Sequence, residues 1–463
     1  MIESISKETF FSIESLKLSW ERYIRVRQWE IKDHVGINSF NWKLEENLQR
    51  LNEKIVEDKY QPSEAFKFKV PKSNGLQRTL TLLQVEDALV YQTFANNIAS
   101  DAFDELKKTE LNSFGCPVSD DVKLGLDIFK EENPNYYFYK GYQAQYSKYK
   151  ESIKGKKLKF KLETDLTAFY DSISHEFLVQ YLNEKFISSD EILALFKSCL
   201  KEWGGKKNKY ITFTGIPQTE VASPFFANLV LHELDLAMMN KENPYVRYMD
   251  DIWVFSDNEG ELWDILLQID NFATERGLCV NPKKTIVAEF SEDLDLIDMD
   301  PSGHIPIEIE NFDPEDDFDA IIEIDNVYSN ESIEPKEKIT VQEFVANCTN
   351  QIGWCYFVIS KLLKGTDELN KRHQNKIAKH CYQIKAAFEG IEHYGYKPII
   401  HESFDFNMFL EVLSKYFWKC EPICHVLSFF DENDDLKKGM LKILHEFKNY
   451  EWVVYHVAKS LYK

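Results

Sequence analysis

The sequence lacks the features of membrane, secreted and disulfide-rich proteins. No apolar run among the 463 residues reaches the roughly 18 to 20 residues that a membrane helix needs. The segment MIESISKETF has no basic stretch followed by an apolar one, as a secretory signal would. The eight cysteines show no paired CxxC spacing, which argues against a disulfide framework or a zinc cage. We therefore expect a cytoplasmic protein in a reducing compartment, with no membrane partner.

Apolar side chains and acidic charge are abundant. Hydrophobic residues make up 44% of the chain, enough for one large core or several smaller ones. The net charge of −22, taken alone, argues against a nucleic-acid partner. However, residues 291–335 contain sixteen acids and no Lys or Arg, and the rest of the chain carries only −6. Residues 136–161 contain eight lysines and a single acid, so the charge is segregated and predicts one basic working surface.

Hydrophobic periodicity predicts an α+β core followed by helices. Alternation predicts a basic hairpin over 65–83, a strand over 158–166 and two short strands over 244–256. Helical spacing predicts helices over 84–103, 223–239 and 262–276, one beginning near 174, and an almost wholly helical C-terminal part. The predicted division is an N-terminal helical segment (1–60), an α+β part (61–290), an acidic insertion or linker (291–338) and an all-α domain (339–463).

Two charged segments leave alternatives open. The acidic insertion is either a solvated linker, which is the commoner case, or a mimic of nucleic acid that occupies a basic channel. In residues 136–161, six tyrosines alternate with the lysines, which suits stacking on bases and contact with phosphates. The alternative is a solvated basic loop with tyrosines packed beneath it.

Three aspartates are candidates for a metal site. Asp250 and Asp251 lie at the predicted tip of a hairpin, where two like charges would repel without a partner. Asp165 ends the predicted strand 158–166, so two strand ends would bring three carboxylates to one sheet edge. Such hard oxygen ligands suit Mg²⁺. Two ions about 4 Å apart would support phosphoryl transfer.

Four segments in order resemble the motifs of reverse transcriptases. They are 165–171 (DLTAFYD), 215–228 (GIPQTEVASPFFAN), 247–252 (RYMDDI) and 277–285 (GLCVNPKKT), which are similar to motifs A, B, C and D. The basic hairpin resembles the fingers hairpin that precedes them. The resemblance covers roughly residues 60–290 and implies a right-hand polymerase with fingers and an RRM-like palm, here followed by an all-α C-terminal domain.

The resemblance implies roles for the motif residues in catalysis. Asp165 and Asp250 would hold two Mg²⁺ ions, with Mn²⁺ as a substitute, while Asp251 supports them and the Leu166 carbonyl adds a ligand. Lys284 would protonate the leaving pyrophosphate, although Lys283 is an equal candidate by spacing.

The resemblance also implies substrate contacts. The Tyr170 ring would act as a steric gate against a ribose 2′-hydroxyl. The other predicted dNTP contacts are Lys69, Lys72, Arg78, Leu166, Phe169 and Gln218. The predicted template and primer contacts are Pro217, Tyr248, Met249, Lys206, Lys207, Lys156 and Lys157.

Two residues depart from the pattern or have another role. Motif B reads PQTEVASP where many relatives have a glycine after PQ, and the acid Glu220 is unexpected beside a polyanionic substrate. Asp171 is predicted to be structural, as the cap of the helix that follows it.

The resemblance implies an RNA-directed DNA polymerase that uses dNTPs and an RNA template, forms a DNA product and assembles as a homo-oligomer. The compact core with a helical C-terminal region is most similar to bacterial abortive-infection and defence-associated reverse transcriptases. Their template is a non-coding RNA, or synthesis is untemplated. A silent RNA-binding scaffold that signals by assembly is the alternative, and an RNA polymerase is a third, which Tyr170 makes less suitable. The primer, the trigger and the fate of the product are not readable from the residues.

Overall fold

The structure is a computed structural model. It describes residues 5–24, 33–71, 77–141, 147–149, 151, 156, 158–204, 213–218, 220–290, 352–353, 355–356, 359–360, 371–393, 405–417, 420–430 and 434–462. The whole acidic insertion (291–338) lies outside the described residues, and so do both interpretations of it.

The chain divides into two compact units. The first comprises Met1–Lys67 and Leu80–Gly303, and the second comprises Phe68–Thr79 and His304–Lys463. The predicted domain boundaries at residues 60, 290 and 338 stay a prediction, because the two compact units do not test them.

Helices dominate the start of the first unit. In chain order they are α1 (Lys7–Phe10), α2 (Ile13–Ile24), α3 (His34–Trp42), α4 (Leu44–Val56) and α5 (Val85–Thr109). A 3-10 segment follows at Asp120–Lys130, interrupted by Gly125 with φ +54°. The long helix α5 is buried along most of its length, and its Tyr91 and Phe94 lie in a continuous aromatic core with Phe196 and Phe226. The N-terminal helices thus share one core with the part of the chain that holds the motifs.

The motifs are built on a small antiparallel sheet. Its strands are β3 (Phe160–Asp165), β4 (Tyr245–Tyr248), β5 (Asp251–Ser256) and β6 (Ile286–Glu289), in the order β4-β5-β3-β6. The helices that accompany it are α6 (Phe169–Ser172), α7 (His175–Lys185), α8 (Asp190–Trp203), α9 (Ser223–Met239) and α10 (Glu259–Glu275). Buried side chains of α9 and α10 pack against one face of the sheet. The central strands β5 and β3 are therefore held on both edges by paired strands and on one face by helices.

Asp171 does not cap a helix, so that prediction was wrong. Asp171 lies inside α6, and Ser174 is the residue with extended backbone that precedes α7. The Ser174 hydroxyl accepts a hydrogen bond from the Phe177 amide at 3.3 Å, which is the usual N-cap contact. The physical reason is position: the helix begins at His175, so the residue before it, Ser174, is the N-cap, and Asp171 lies three residues earlier in α6.

The second unit is helical over its C-terminal part. Its described helices are α11 (Lys371–His393), α12 (Phe406–Lys415), α13 (Cys420–Leu427), α14 (Asp434–Glu446) and α15 (Glu451–Tyr462). They surround a core that includes Cys381, Cys420 and Cys424. The unit also contains the described residues of Phe68–Thr79, which belong to the paired strands β1 (Phe66–Pro71) and β2 (Gln77–Leu82).

Most predicted elements are confirmed. The hairpin near 65–83, the strand near 158–166, the strand pair of 244–256 and the helix 223–239 are all present. None of the described helices combines the length and apolar character that a membrane span requires.

Candidate active site

The hairpin of β4 and β5 presents two neighbouring aspartates at its turn. Tyr248 pairs with Asp251 across the hairpin, which leaves Met249 and Asp250 as the two turn residues. Met249 has φ +54°, the left-handed conformation that tight two-residue hairpin turns require. The turn therefore places the Asp250 backbone at the tip and Asp251 at the start of β5.

Asp165 lies directly beside this turn. The register of β3 and β5 pairs Asp165 with Asp251, so the two carboxylates are cross-strand neighbours. Asp165 is only 5% exposed, and the chain leaves the sheet after Leu166, which bridges to Val280. The sheet thus pairs Asp165 with Asp251, and Asp250 precedes Asp251 in the adjacent turn.

Lys284 approaches the same carboxylates from the loop before β6. Its ammonium forms an ion pair with Asp165 Oδ2 and lies 3.7 Å from Asp251 Oδ1. Desolvation would lower the pKa of Lys284, but the hydrogen bond to Asp165 and the charges of the nearby aspartates outweigh it and raise this pKa. Lys283 has an exposed side chain, and its backbone amide donates to Asn281 Oδ1 at 3.1 Å. Of the two lysines that spacing left equal, Lys284 is the one that reaches the carboxylates.

The electrostatics of the cluster suit a bound cation. Burial, then repulsion by Asp250, raises the pKa of Asp251 to about 6, although Lys284 opposes this. Asp165 Oδ1 is buried without a hydrogen-bond partner in the structure described. Among the described residues, no group of three or more acidic, histidine or cysteine side chains is arranged to hold a metal ion. The three carboxylates would have to draw closer around an ion, and the metal assignment of Asp165, Leu166, Asp250 and Asp251 stays a prediction.

Tyr170 lies near the hairpin turn. Desolvation raises the pKa of its phenol well above the usual value, with further contributions that include the charge of Asp250. The Tyr170 carbonyl accepts a hydrogen bond from the Ile216 amide at 2.9 Å, which ties the segment after β3 to the segment before α9. Phe169 is 2% exposed and packs in the core, so its side chain is not available to a nucleotide in this arrangement.

The segment before α9 forms a turn under these residues. Gly215 has φ +92°, and its amide donates to the Ile173 carbonyl at 2.7 Å. Pro217 is buried and its carbonyl accepts from the Ser223 hydroxyl, while Gln218 is half-buried. A left-handed glycine lets the chain reverse there.

Glu220 faces the protein interior rather than the substrate side. It is 6% exposed, and its Oε1 accepts from the Leu83 amide at 3.0 Å. Desolvation raises the pKa of Glu220 to about 7, since this single backbone hydrogen bond compensates only in part. The acid that looked unexpected beside a polyanion is therefore a buried link between the end of the β1/β2 hairpin and the segment before α9.

The predicted basic contacts are only partly described. Lys69 and Arg78 belong to the second unit, where the Lys69 amide donates to Glu451 Oε2 at 3.2 Å. Lys156 is exposed. Lys72, Lys157, Lys206 and Lys207 lie outside the described residues. The nucleotide and template roles of all of them stay predictions.

The tyrosines of residues 136–161 divide between the two interpretations. Tyr139 donates to the Val221 carbonyl at 2.6 Å and accepts from the Phe225 amide at 3.0 Å, so it is structural. Tyr149 is 2% exposed. Tyr137, by contrast, is 44% exposed and can face solvent or a ligand.

Of the predicted template and primer contacts in motif C, Met249 is buried and Tyr248 is half-buried.

Sequence reasoning missed an ion pair behind the hairpin. Arg247 and Asp235 are 0% and 1% exposed and meet at 2.6 Å. A signal was present: Asp235 is the one aspartate in the largely apolar run FFANLVLHELDLAMM, and Arg247 stands in a short strand between apolar and aromatic residues. Charges in such runs are paired when they are buried.

Comparisons with known proteins identify the motif-bearing part. Residues 70–295 match the family model described as reverse transcriptase (RNA-dependent DNA polymerase). Together with the hairpin and the antiparallel sheet, this confirms the predicted right-hand polymerase fold of the α+β class. The family is one of nucleotidyltransferases.

Two curated relatives are intron proteins of yeasts. The chain is 35% identical over 86 residues to the putative COX1/OXI3 intron 2 protein of Saccharomyces cerevisiae, over 18% of this chain and 10% of that protein. It is 32% identical over 85 residues to an uncharacterized 91 kDa protein in the cob intron of Schizosaccharomyces pombe, with the same 18% and 10% coverage. The matches thus span about one tenth of the length of these relatives.

Solved structures of telomerase are also similar. Telomerase from Candida albicans with a TWJ fragment of telomeric RNA has a TM-score of 0.34 and 15% identity, covering 86% of this chain and 66% of that chain. Telomerase from Candida tropicalis with the corresponding RNA fragment has a TM-score of 0.35 and 12% identity, covering 89% and 68%. Scores at this level support no inference about function.

Proposed function

We propose that the reverse transcriptase domain present in residues 70–295 is a working RNA-directed DNA polymerase that adds dNTPs to the 3′ end of a DNA strand. The observation that supports this most directly is the cross-strand pairing of Asp165 with Asp251 beside the Asp250 turn, with the Lys284 ammonium at the same carboxylates. Three acids and a lysine at one sheet edge suit a nucleotidyl transfer site, in which carboxylates hold divalent cations beside the phosphates.

The oxygen ligands that these residues offer suit divalent cations, around which the three carboxylates would draw closer. Asp165 has a buried oxygen without a hydrogen-bond partner, and burial, followed by repulsion from Asp250, raises the pKa of Asp251. In the proposed site Asp165, Asp250 and the Leu166 carbonyl hold Mg²⁺, or Mn²⁺ in its place, and Asp251 supports them. The bound ions would supply charge stabilisation for the phosphates and an activated 3′-hydroxyl.

The chain's own groups orient the substrate and move one proton. The Tyr170 ring excludes the 2′-hydroxyl of a ribonucleotide. The Lys284 ammonium, which reaches the carboxylates in the structure, donates a proton to the departing pyrophosphate oxygen. Lys69, Lys72 and Arg78 neutralise triphosphate oxygens.

The proposal includes an RNA template, a DNA product, a homo-oligomer and a cytoplasmic location. It also places the protein in antiphage defence, with a non-coding RNA template or untemplated synthesis. What supports this finer assignment is the compact domain followed by a helical C-terminal region. The relatives named above are yeast intron proteins and telomerases, and they do not bear on defence.

The test uses protein purified with its co-isolated nucleic acid. Labelled dNTP incorporation with Mg²⁺ is compared between the wild type and an Asp250→Ala, Asp251→Ala double variant. DNA synthesis by the wild type alone supports the proposal, and sequencing the product distinguishes templated from untemplated synthesis. Retention of RNA by both proteins without incorporation of any nucleotide would instead favour an RNA-binding scaffold.

The defence assignment has its own test. Cells that carry the wild type or the double variant are challenged with phage, and plaques are counted. Protection by the wild type alone supports defence, and equal plaque counts in cells that synthesise DNA would remove the defence assignment while leaving the polymerase.

A further inference from the structure

Arg247 is a fully buried guanidinium with every donor satisfied. Its five N–H groups donate to Asp235 Oδ1 (2.8 Å from Nε), Asp235 Oδ2 (2.6 Å from Nη2), Ser113 Oγ (2.6 Å from Nη2), Asn228 Oδ1 (3.0 Å from Nη1) and the Met249 carbonyl (2.6 Å from Nη1). Five donors with five acceptors is the full capacity of arginine. Chance packing rarely gives every donor of a buried charged side chain a hydrogen-bond partner.

The contact with the Met249 carbonyl bears on the carboxylates. This carbonyl belongs to the peptide that joins Met249 to Asp250. A hydrogen bond of 2.6 Å from a charged donor fixes the plane of that peptide. The plane sets the direction in which the Asp250 side chain leaves the backbone.

The backbone conformation of the turn is unfavourable without contacts that stabilise it. A non-glycine residue with positive φ, such as Met249 at +54°, is disfavoured unless its surroundings stabilise that conformation. On its other side the turn meets Gly115, where a Cβ atom would lie 2.5 Å from the Met249 amide nitrogen. Asn228 joins the two sides, because its amide donates to the Gly115 carbonyl at 2.8 Å and its oxygen accepts from Arg247.

Stability alone is a weak explanation for this arrangement. Buried ion pairs can often be replaced by apolar side chains of similar volume at little cost, or with a gain in stability. Tyr245 adds a further hydrogen bond to Asp235 Oδ1 at 2.7 Å, so the aspartate is also fixed. A functional role of the guanidinium would explain why this buried ion pair is present although packing does not require it.

We propose that Arg247, balanced by Asp235, is a positioning residue that fixes the Met249 carbonyl and so aims Asp250 at the reacting phosphates. The inference rests on the proposed polymerase activity and names the residues that keep its carboxylates in place. Arg247 touches no substrate in this account and acts only through the turn.

The test removes the ion pair as a unit. An Arg247→Met, Asp235→Leu double variant leaves no unpaired buried charge. The control is Arg276→Met, Glu233→Leu, which removes a less buried ion pair of the same unit, with N···O 2.6 Å and side chains 12% and 43% exposed. Thermal unfolding, the kcat and KM for dNTPs on a fixed primer and template, and the affinity for Mn²⁺ alone are measured for both.

A positioning role predicts a loss that folding does not explain. If the two double variants melt at similar temperatures, the Arg247 and Asp235 variant should still lose about 10-fold or more in kcat and in Mn²⁺ affinity. Losses of this size are typical when residues that orient metal ligands are removed. The KM for dNTPs should stay close to that of the control. Equal kcat and equal Mn²⁺ affinity in the two folded variants would overturn the inference.

A milder variant covers the case in which the double variant does not fold. Ser113→Ala removes one acceptor of the guanidinium and keeps the ion pair. It should lower kcat and Mn²⁺ affinity together by a few-fold, whereas unchanged values for both would contradict the positioning role.

The Mn²⁺ measurement separates this inference from the proposed function. If the wild type makes no DNA, the polymerase proposal fails, while the comparison of Mn²⁺ affinities still decides whether Arg247 organises the carboxylates. If the wild type makes DNA and the variant equals its control, only the positioning inference fails.

Discussion

The hydroxyl groups of Thr164 and Thr285 lie 2.7 Å apart, and each is the immediate neighbour of a charged residue of the candidate site. Thr164 precedes Asp165, and Thr285 follows Lys284. The Asn281 amide also donates to the Asp165 carbonyl at 2.8 Å. These contacts tie the lysine loop to the strand that carries Asp165, so Lys284 is held at the carboxylates by its neighbours and not by its own ion pair alone.

This arrangement predicts which lysine acts as the proton donor. Lys284→Gln should lower kcat about 100-fold, the size expected for loss of a general acid. Lys283→Gln, made in the same loop, should have a much smaller effect because its side chain points to solvent. Single-nucleotide incorporation rates measure both, and a larger loss from Lys283→Gln would reverse the assignment.

Tyr170 should govern the choice between deoxyribonucleotides and ribonucleotides. Tyr170→Ala removes the ring and should reduce discrimination against rNTPs by about 100-fold, because rejection by a closed surface is lost. Tyr170→Phe keeps the ring and should keep the discrimination. The ratio of kcat/KM for a dNTP and its rNTP tests this, and equal ratios for the wild type and Tyr170→Ala would refute the steric gate.

Glu220 should make stability depend on pH. Its folded-state pKa of about 7 lies above the ordinary 4.5, so the folded protein binds this proton more tightly than the unfolded chain. Its contribution to stability is therefore present below about 4.5 and is lost as the pH rises to about 7.

Glu220→Gln keeps an acceptor for the Leu83 amide and removes the buried charge. The variant should be more stable than the wild type by about 1 to 3 kcal/mol at pH 8, with the difference shrinking toward pH 5. Denaturant unfolding at both values measures it. A stability difference that does not change with pH would show that the carboxyl is not protonated on folding.

Gly115 should be required for the geometry of the turn. Gly115→Ala places a Cβ against the Met249 amide and should displace Asp250. The displacement should lower kcat about 100-fold, because misplacing a catalytic group by about 1 Å can have an effect of that size. Gly260→Ala is the control, since a Cβ there meets only Asn258 Oδ1 at 3.3 Å. Primer extension by two variants with similar melting temperatures would decide, and full activity of Gly115→Ala would contradict the turn's role.

The sequence predicted the fold and the carboxylates because both depend on local patterns. Alternation and helical spacing place β3, β4, β5 and α9, and the motif order places Asp165 beside Asp250 and Asp251 by resemblance. The long-range contacts were not predictable in this way. The largely apolar surroundings of Asp235 and Arg247 indicate burial, but they do not show that the two charges pair, because the pairing depends on how α9 packs against β4.

Two further cases show the same limit. Glu220 could be recognised as unusual, but its partner is the backbone amide of Leu83, which leaves no trace in the sequence. Asp171 and Ser174 are both good capping residues, and only the backbone conformation shows that Ser174 has the capping position.

The central claim is that residues 70–295 form an RNA-directed DNA polymerase driven by these carboxylates. The most direct test is extension of a labelled DNA primer on an RNA template of known sequence, with Mg²⁺ and with each dNTP left out in turn. The account predicts products complementary to the RNA, stops at each omitted nucleotide, and a loss of at least about 100-fold in Asp250→Asn, or about 2.7 kcal/mol of transition-state stabilisation. Extension by Asp250→Asn at the wild-type rate, or no extension by the wild type with any template, would contradict it.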